Sequence, residues 1–200
     1  MLPQKNNDFP PAERCERHLC RLEKVYAEMD RSFKSAADRY GFQCNGCTES
    51  CCRTLFYHHT LIEFLYFSAG FRSLERGVQI TLAARAEAFG RAVRATGENG
   101  SPPRHMCPVN EAGRCRLYAF RPMICRLHGI PSDLDRPDGT RLQTPGCAAF
   151  AERCGHLPPV AFDRTPFYRE LAAIEQDMRR DVPPAGKIKM TVAEMILAVS

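Results

Sequence analysis

Two hundred residues with 44 % hydrophobic side chains suffice to bury a modest core in one domain, and no run of 18 apolar residues is present to cross a membrane. Residues 1–10 carry no apolar leader-like segment, so the expectation is a cytoplasmic protein without a membrane partner. The formal net charge of +5 is weak support for nucleic acid, because eight thiolates bound to two divalent ions would bring it down to about +1.

A helix is predicted over 11–40, where Cys15, Leu19, Leu22, Tyr26, Met29, Phe33 and Tyr40 recur at steps of three, four and seven before Gly41 stops the run. Four cysteines follow within nine residues: Cys44, Cys47, Cys51 and Cys52. Thr60 and Glu63 read as a capping box that starts a short helix, stopped by Gly70. A second helical stretch covers 74–96, with Gly90 weakening its middle. Cys107, Cys115, Cys125 and Cys147 lie in the Pro/Gly-rich stretch 102–155. Thr165-Pro166 opens a further helix with Phe167, Leu171, Ile174 and Met178 along one face and proline at its first position. Thr191 and Glu194 cap a last short one. Proline-rich joints are read at Pro10-Pro11, at 97–103 and at Pro183-Pro184.

The predicted architecture is therefore a mainly α, small single domain over 1–200, its helices packed around a metal-stapled, loop-rich cysteine core. An N-terminal helix at 11–40, a cysteine-cluster region at 44–155 and C-terminal helices at 165–200 make up the chain. Eleven cysteines in a reducing compartment argue for metal rather than for a disulfide framework, which an odd number would leave incomplete. Cys44-x2-Cys47 is a two-sulfur chelate, since a turn of this spacing lets both sulfurs reach one ion at about 2.3 Å. Cys51 and Cys52, being adjacent, diverge, and so suit two metals, or one metal and the core. The alternatives are a strained vicinal disulfide, or one buried inert thiol beside one ligand.

The second set reads Cys107-Pro, Gly113-Arg-Cys115-x-x-Tyr118 and Arg121-Pro122-x-x-Cys125-Arg126. Together with the first, it resembles the YkgJ-type cysteine-cluster family, a zinc- or iron-chelating domain of bacteria, over about half of the chain. The resemblance implies an eight-cysteine metal-binding domain with Cys44, Cys47, Cys51, Cys52, Cys107, Cys115 and Cys125 as ligands. Cys147 is taken as the eighth, with Cys154 as its competitor. Three residues, Thr48-Glu49-Ser50, stand here where the common form of the motif has two. Arg121 and Arg126 fall on the same signature and are assigned to the cofactor, as guanidinium groups that would offset the excess negative charge of four thiolates. The alternative is that Arg121 caps a short helix or pairs with an acid. A related branch, the flagellin lysine N-methylases, shares the motif, but this chain carries no recognisable methyl-donor pocket.

Of the remaining groups, Cys15 is expected in the core and Cys20 at the surface, about 140° apart on the helix. His58, His59, His105 and His128 are left out of the ligand set. No Ser-His-Asp arrangement, phosphate loop or dinucleotide fingerprint is present. The function expected is metal binding, with an iron–sulfur cluster or zinc as cofactor, serving a redox or group-transfer reaction. The alternative is a structural-zinc adaptor for a protein partner. A nucleic-acid module comes third, because no second Cys-x2-Cys knuckle exists.

Overall fold

The computed structural model describes residues 12–44, 51–97, 104–182 and 186–200. Cys47 and the inserted Thr48-Glu49-Ser50, together with the joints at Pro10-Pro11, 98–103 and Pro183-Pro184, lie outside the described residues.

The helix α1 (Ala12–Arg39) follows its predicted stripe: Cys15, Leu22, Tyr26 and Met29 are buried, and Leu19 and Phe33 pack beside them. It ends in a Schellman turn. Gly41 takes φ +62°, and the N–H groups of Gly41 and Phe42 bond the carbonyls of Asp38 and Ala37, both at 2.9 Å, a backbone conformation that glycine adopts without a Cβ penalty. Next comes α2 (Leu61–Arg72), apolar on all sides and therefore interior. The helix α3 (Arg76–Gly97) is followed by a two-residue hairpin of β1 (Asn110–Glu111) and β2 (Arg114–Cys115). The short α4 (Met123–Leu127) precedes a second antiparallel hairpin, β3 (Ser132–Asp135) with β4 (Arg141–Thr144). Three helices complete the chain: α5 (Ala148–Cys154), α6 (Thr165–Asp181) and α7 (Val192–Leu197).

The protein is mainly helical, and the helices enclose one hydrophobic core centred on α2, against which α1, α6, α7 and the 3-10 turn Tyr118–Phe120 pack. Helix α7 also lies along α3. Helices α1 and α6 run in opposite senses. Arg17 near the start of α1 pairs with Asp181 at the end of α6, and Arg21 bonds Asp177 and Glu170, each at 2.6 Å. Among the described residues no helix is long and apolar enough to cross a membrane. The capping box Thr191–Glu194 on α7 forms in both halves, as predicted.

Three local expectations change. Thr60 makes no side-chain cap on α2; the N–H groups of Leu61 and Ile62 are taken instead by the carboxylate of Glu175 on α6, at 3.0 and 2.9 Å. A carboxylate at this end of the helix also complements its dipole. Gly70 does not stop α2, which continues to Arg72. A Cβ at Gly70 would fall within 2.7 Å of Phe120 Cβ and nearer still to its ring, so the glycine is there to admit Phe120. Helix α6 begins at Thr165, which puts Pro166 second rather than first; this position still needs no intrahelical donor.

Glu63, freed from capping its own helix, is buried and ties three segments together. Its carboxylate accepts the Tyr26 hydroxyl of α1 at 3.1 Å, the Thr60 hydroxyl at 2.5 Å and the N–H of Met123, the first residue of α4, at 2.8 Å. Burial lifts its carboxyl above the usual carboxylate range, with the nearby Glu175 adding to the effect and the three hydrogen bonds opposing it.

Two outcomes follow from this packing. Gly70→Ala gains about 1 kcal/mol of helix propensity but must displace Phe120, at about 1–3 kcal/mol; a net loss of about 1 kcal/mol is expected in urea unfolding, and a net gain would show that Phe120 does not need the space. For Glu63, a folded pKa above the unfolded value near 4.3 means that its contribution is present in full below the unfolded value and is lost as pH rises through the folded one. The stability of Glu63→Gln relative to the parent should therefore rise from pH 4 to pH 7.5; a difference that stays constant would contradict the burial effect.

Candidate metal centre

The first described cysteine segment is a single 3-10 turn, Cys51–Arg53, and its backbone holds the second. The Cys52 carbonyl accepts the Cys107 N–H at 2.7 Å, and the Cys107 carbonyl in turn accepts the Asn110 N–H at 3.0 Å. Asn110 pairs with Cys115 across the β1–β2 hairpin. The connecting residues Ala112 and Gly113 take φ +49° and +81°, a type I′ turn whose twist matches a two-residue hairpin. The Asn110 side chain supports that turn by accepting the Gly113 N–H at 3.1 Å. Cys107 and Cys115 thus come from the two limbs of one narrow loop. Cys125 arrives on α4, whose first N–H is bound by Glu63.

These segments bring Cys52, Cys107, Cys115 and Cys125 within electrostatic reach of one another. Burial is the main reason that the Cys107 thiol is pushed up to about 12; Cys52 and Cys115 push the same way. Burial likewise raises Cys125, reinforced by Cys107, Cys115 and Cys52. Cys115 is raised by burial and by Cys52. Cys51 is raised first by its hydrogen bond with Cys52, then by burial, and it feels Cys52, Cys44 and Cys125. Two backbone amides oppose these shifts: Val109 N–H donates to the Cys107 sulfur and Leu117 N–H to the Cys115 sulfur. Each donor lies two residues beyond its cysteine. That arrangement favours a thiolate.

The two arginines divide. Arg121, half-buried, stacks its guanidinium 3.5 Å above the Tyr118 ring and bonds the Tyr118 carbonyl at 2.9 Å. Its charge lowers the proton affinity of both Cys115 and Cys125. Arg126 is turned toward α1, with its side chain only 3 % exposed. It bonds Asp30 at 2.5 Å, the Arg121 carbonyl at 2.8 Å and the Ala119 carbonyl, and it lies 4.1 Å over the Tyr26 ring. Arg126 thereby fastens the segment 119–126 to the first helix, while Arg121 is the guanidinium that bears on the thiols.

Cys147 stands as the N-cap of α5, its sulfur accepting the Phe150 N–H at 3.4 Å. Its competitor Cys154 is buried, with its thiol donating to the Tyr40 carbonyl at 3.6 Å. Cys15 is in the core and Cys20 at the surface, as expected, and Cys44 is exposed. No disulfide joins the ten described cysteines. His128 stacks edge-on with Phe56 at 5.4 Å between centroids. His58 is buried in the bridge to Met190, where burial and then His59 push its imidazole down to about 4.

Among the described residues no three His, Cys, Asp or Glu side chains are drawn together tightly enough to hold an ion, and Cys47 is outside that set. The sequence marked the thiols but not the groups that position them. Asp30 and the amides of Val109 and Leu117 carry no motif of their own, and Glu63 was marked only as half of a capping box, not as the acid that holds α4. Asn110 did leave a trace, as the polar residue three before a glycine in a short loop.

No protein-family model matches this chain, no curated protein is similar to it, and no solved structure matches it; a functional reading therefore rests on the side chains and amides described above.

Proposed function

We propose that this chain is a metal-binding protein in which Cys52, Cys107, Cys115 and Cys125 form a four-thiolate set for an iron–sulfur cluster or zinc. The observation that carries the reading is the pair of amides, Val109 N–H on the Cys107 sulfur and Leu117 N–H on the Cys115 sulfur, beside two further half-buried thiols. Amides aimed at sulfur serve little purpose for a neutral thiol, and they stabilise a thiolate that binds a metal. The resemblance of the cysteine pattern to the YkgJ-type family, one residue longer before the Cys51-Cys52 pair, points the same way. Cys44, Cys47 and Cys51 are further thiols of that pattern and would serve a second ion. Cys147, whose sulfur likewise accepts a backbone amide, that of Phe150, remains the eighth thiol of the pattern.

All-sulfur donors fit both iron–sulfur clusters and zinc and exclude hard ions such as magnesium. An iron–sulfur cluster would supply electron transfer; this chain's own contribution would be to bury the sulfurs, direct two amides at them and set Arg121 beside them. A zinc staple in an adaptor for another protein is the second reading. It is favoured by the scant regular structure around the thiols, a three-residue turn, a two-residue hairpin and a five-residue helix, which a bound ion would stabilise.

An absorbance spectrum with metal analysis on protein purified without air separates the two. Brown protein with a band near about 400 nm and about four irons per chain means a cluster; colourless protein with zinc means the staple, and metal-free protein at full stability sinks both. Cys125→Ser should lower bound metal while Cys20→Ser leaves it unchanged. Equal metal content in the two would remove Cys125 from the site.

Arg126→Ala should be destabilised by about 3 kcal/mol in urea, because Asp30 and two carbonyls lose a buried partner, while the folded fraction keeps its metal. Loss of metal at unchanged stability would instead assign Arg126 to the cofactor.

A further inference from the structure

Arg164 lies just before α6 with its backbone fixed on both sides. Its N–H bonds the Asp133 carbonyl at 2.9 Å, and its own carbonyl accepts the N–H groups of Phe167 and Tyr168 at 3.1 and 3.2 Å. Its side chain is turned inward: the residue is 5 % exposed, and the guanidinium carbon stands 5.8 Å from the centroid of the Tyr168 ring. The Nε group is buried without an acceptor. Among the described residues no carboxylate forms an ion pair with it.

The acids around it are committed elsewhere. Asp133 bonds Arg141 at 2.9 Å and Gln143 at 3.1 Å. Asp163 accepts the Thr165 N–H at 2.8 Å. Glu63, whose charge reaches Tyr168, is held by Tyr26, Thr60 and Met123. What stands beside Arg164 is the Tyr168 ring. Its charge also reaches His128, half-buried at the end of α4, whose imidazole is pushed down by burial and then by Arg164.

We propose that Arg164, with Tyr168 beside it, forms a binding site for a small oxyanion, the carboxylate or phosphate group of a small molecule. A guanidinium taken out of water without a counter-charge is unfavourable, and breaking even one buried pair in this way is strongly destabilising. Its planar fork of N–H groups matches the two oxygens of a carboxylate or phosphate. The tyrosine hydroxyl offers one more donor to the same anion. Neither residue is a proposed metal ligand, so the site stands or falls without the metal.

The test titrates the full chain with inorganic phosphate and, separately, with succinate, at ionic strength held constant with sodium chloride, and follows heat of binding and melting temperature. A saturable response to at least one of them is expected, weakened by about tenfold or more in Arg164→Met. A response to phosphate alone identifies a phosphate group, and one to succinate alone a carboxylate. No saturable response to either, or an equal response in Arg164→Met, overturns the proposal. Because a variant at a buried position can fail to fold, the parent chain supplies a second readout: the Arg164 Nε–H resonance should shift on titration with the anion that binds, and a resonance that stays in place at saturating concentrations of both overturns the site equally.

Discussion

Glu63 is one carboxylate on the most apolar helix of the protein, and the positions of α1, α2 and α4 all pass through it. Placing an acid in the core would be costly without partners. Here a hydroxyl from α1, a hydroxyl at the head of α2 and the leading N–H of α4 converge on its two oxygens. Helix α4 has only five residues, too few to be stable by itself, and a carboxylate at its first N–H both satisfies an orphan donor and opposes its dipole. Since Cys125 sits in the middle of that helix, the buried acid of α2 decides where one of the candidate metal ligands stands. Glu175 repeats the device one layer out: α6 caps α2, and α2 caps α4.

Periodicity made the long helices legible. The stripe from Cys15 to Tyr40 needed only a period of 3.6 and a glycine to end it, and α6 and α7 followed from the same kind of pattern with a proline or a capping box at the start. Gly70 and the cap of α2 were misread for a common reason. A glycine late in a helical run and a Thr-x-x-Glu at its start are ordinary local signals, and both were overridden by residues more than 45 positions away, Phe120 and Glu175. The two hairpins were missed, although Pro137-Asp138-Gly139 between Leu134 and Leu142 is a turn with a physical basis. At β1–β2 the signal was weaker, because Ala112 takes a positive φ that alanine rarely adopts.

The cysteines show the same division. Their spacing raised the expectation of a metal-binding set, but spacing cannot say which cysteine segments come together. That is decided by the Cys52–Cys107 backbone bond, the β1–β2 hairpin and the placement of α4. Burial then gives the gathered thiols a definite chemistry. Cys107 and Cys125 hold their protons more tightly than exposed thiols, so an ion that bound here would have to displace them, and its affinity would rise with pH. The Val109 and Leu117 amides and Arg121 act against that penalty.

Two buried arginines within one small core allow a comparison that neither allows alone. Arg126 is satisfied: a carboxylate, two carbonyls and an aromatic face account for its guanidinium. Arg164, equally buried, has an aromatic neighbour and no acceptor for its Nε. A chain that partners one guanidinium so completely follows the rule that buried charges are paired, so the exception at Arg164 is local rather than a sign of loose packing. Local departures from such rules tend to fall at functional positions. This one lies at the head of α6, where the Arg164 backbone is held on both sides while its Nε is not.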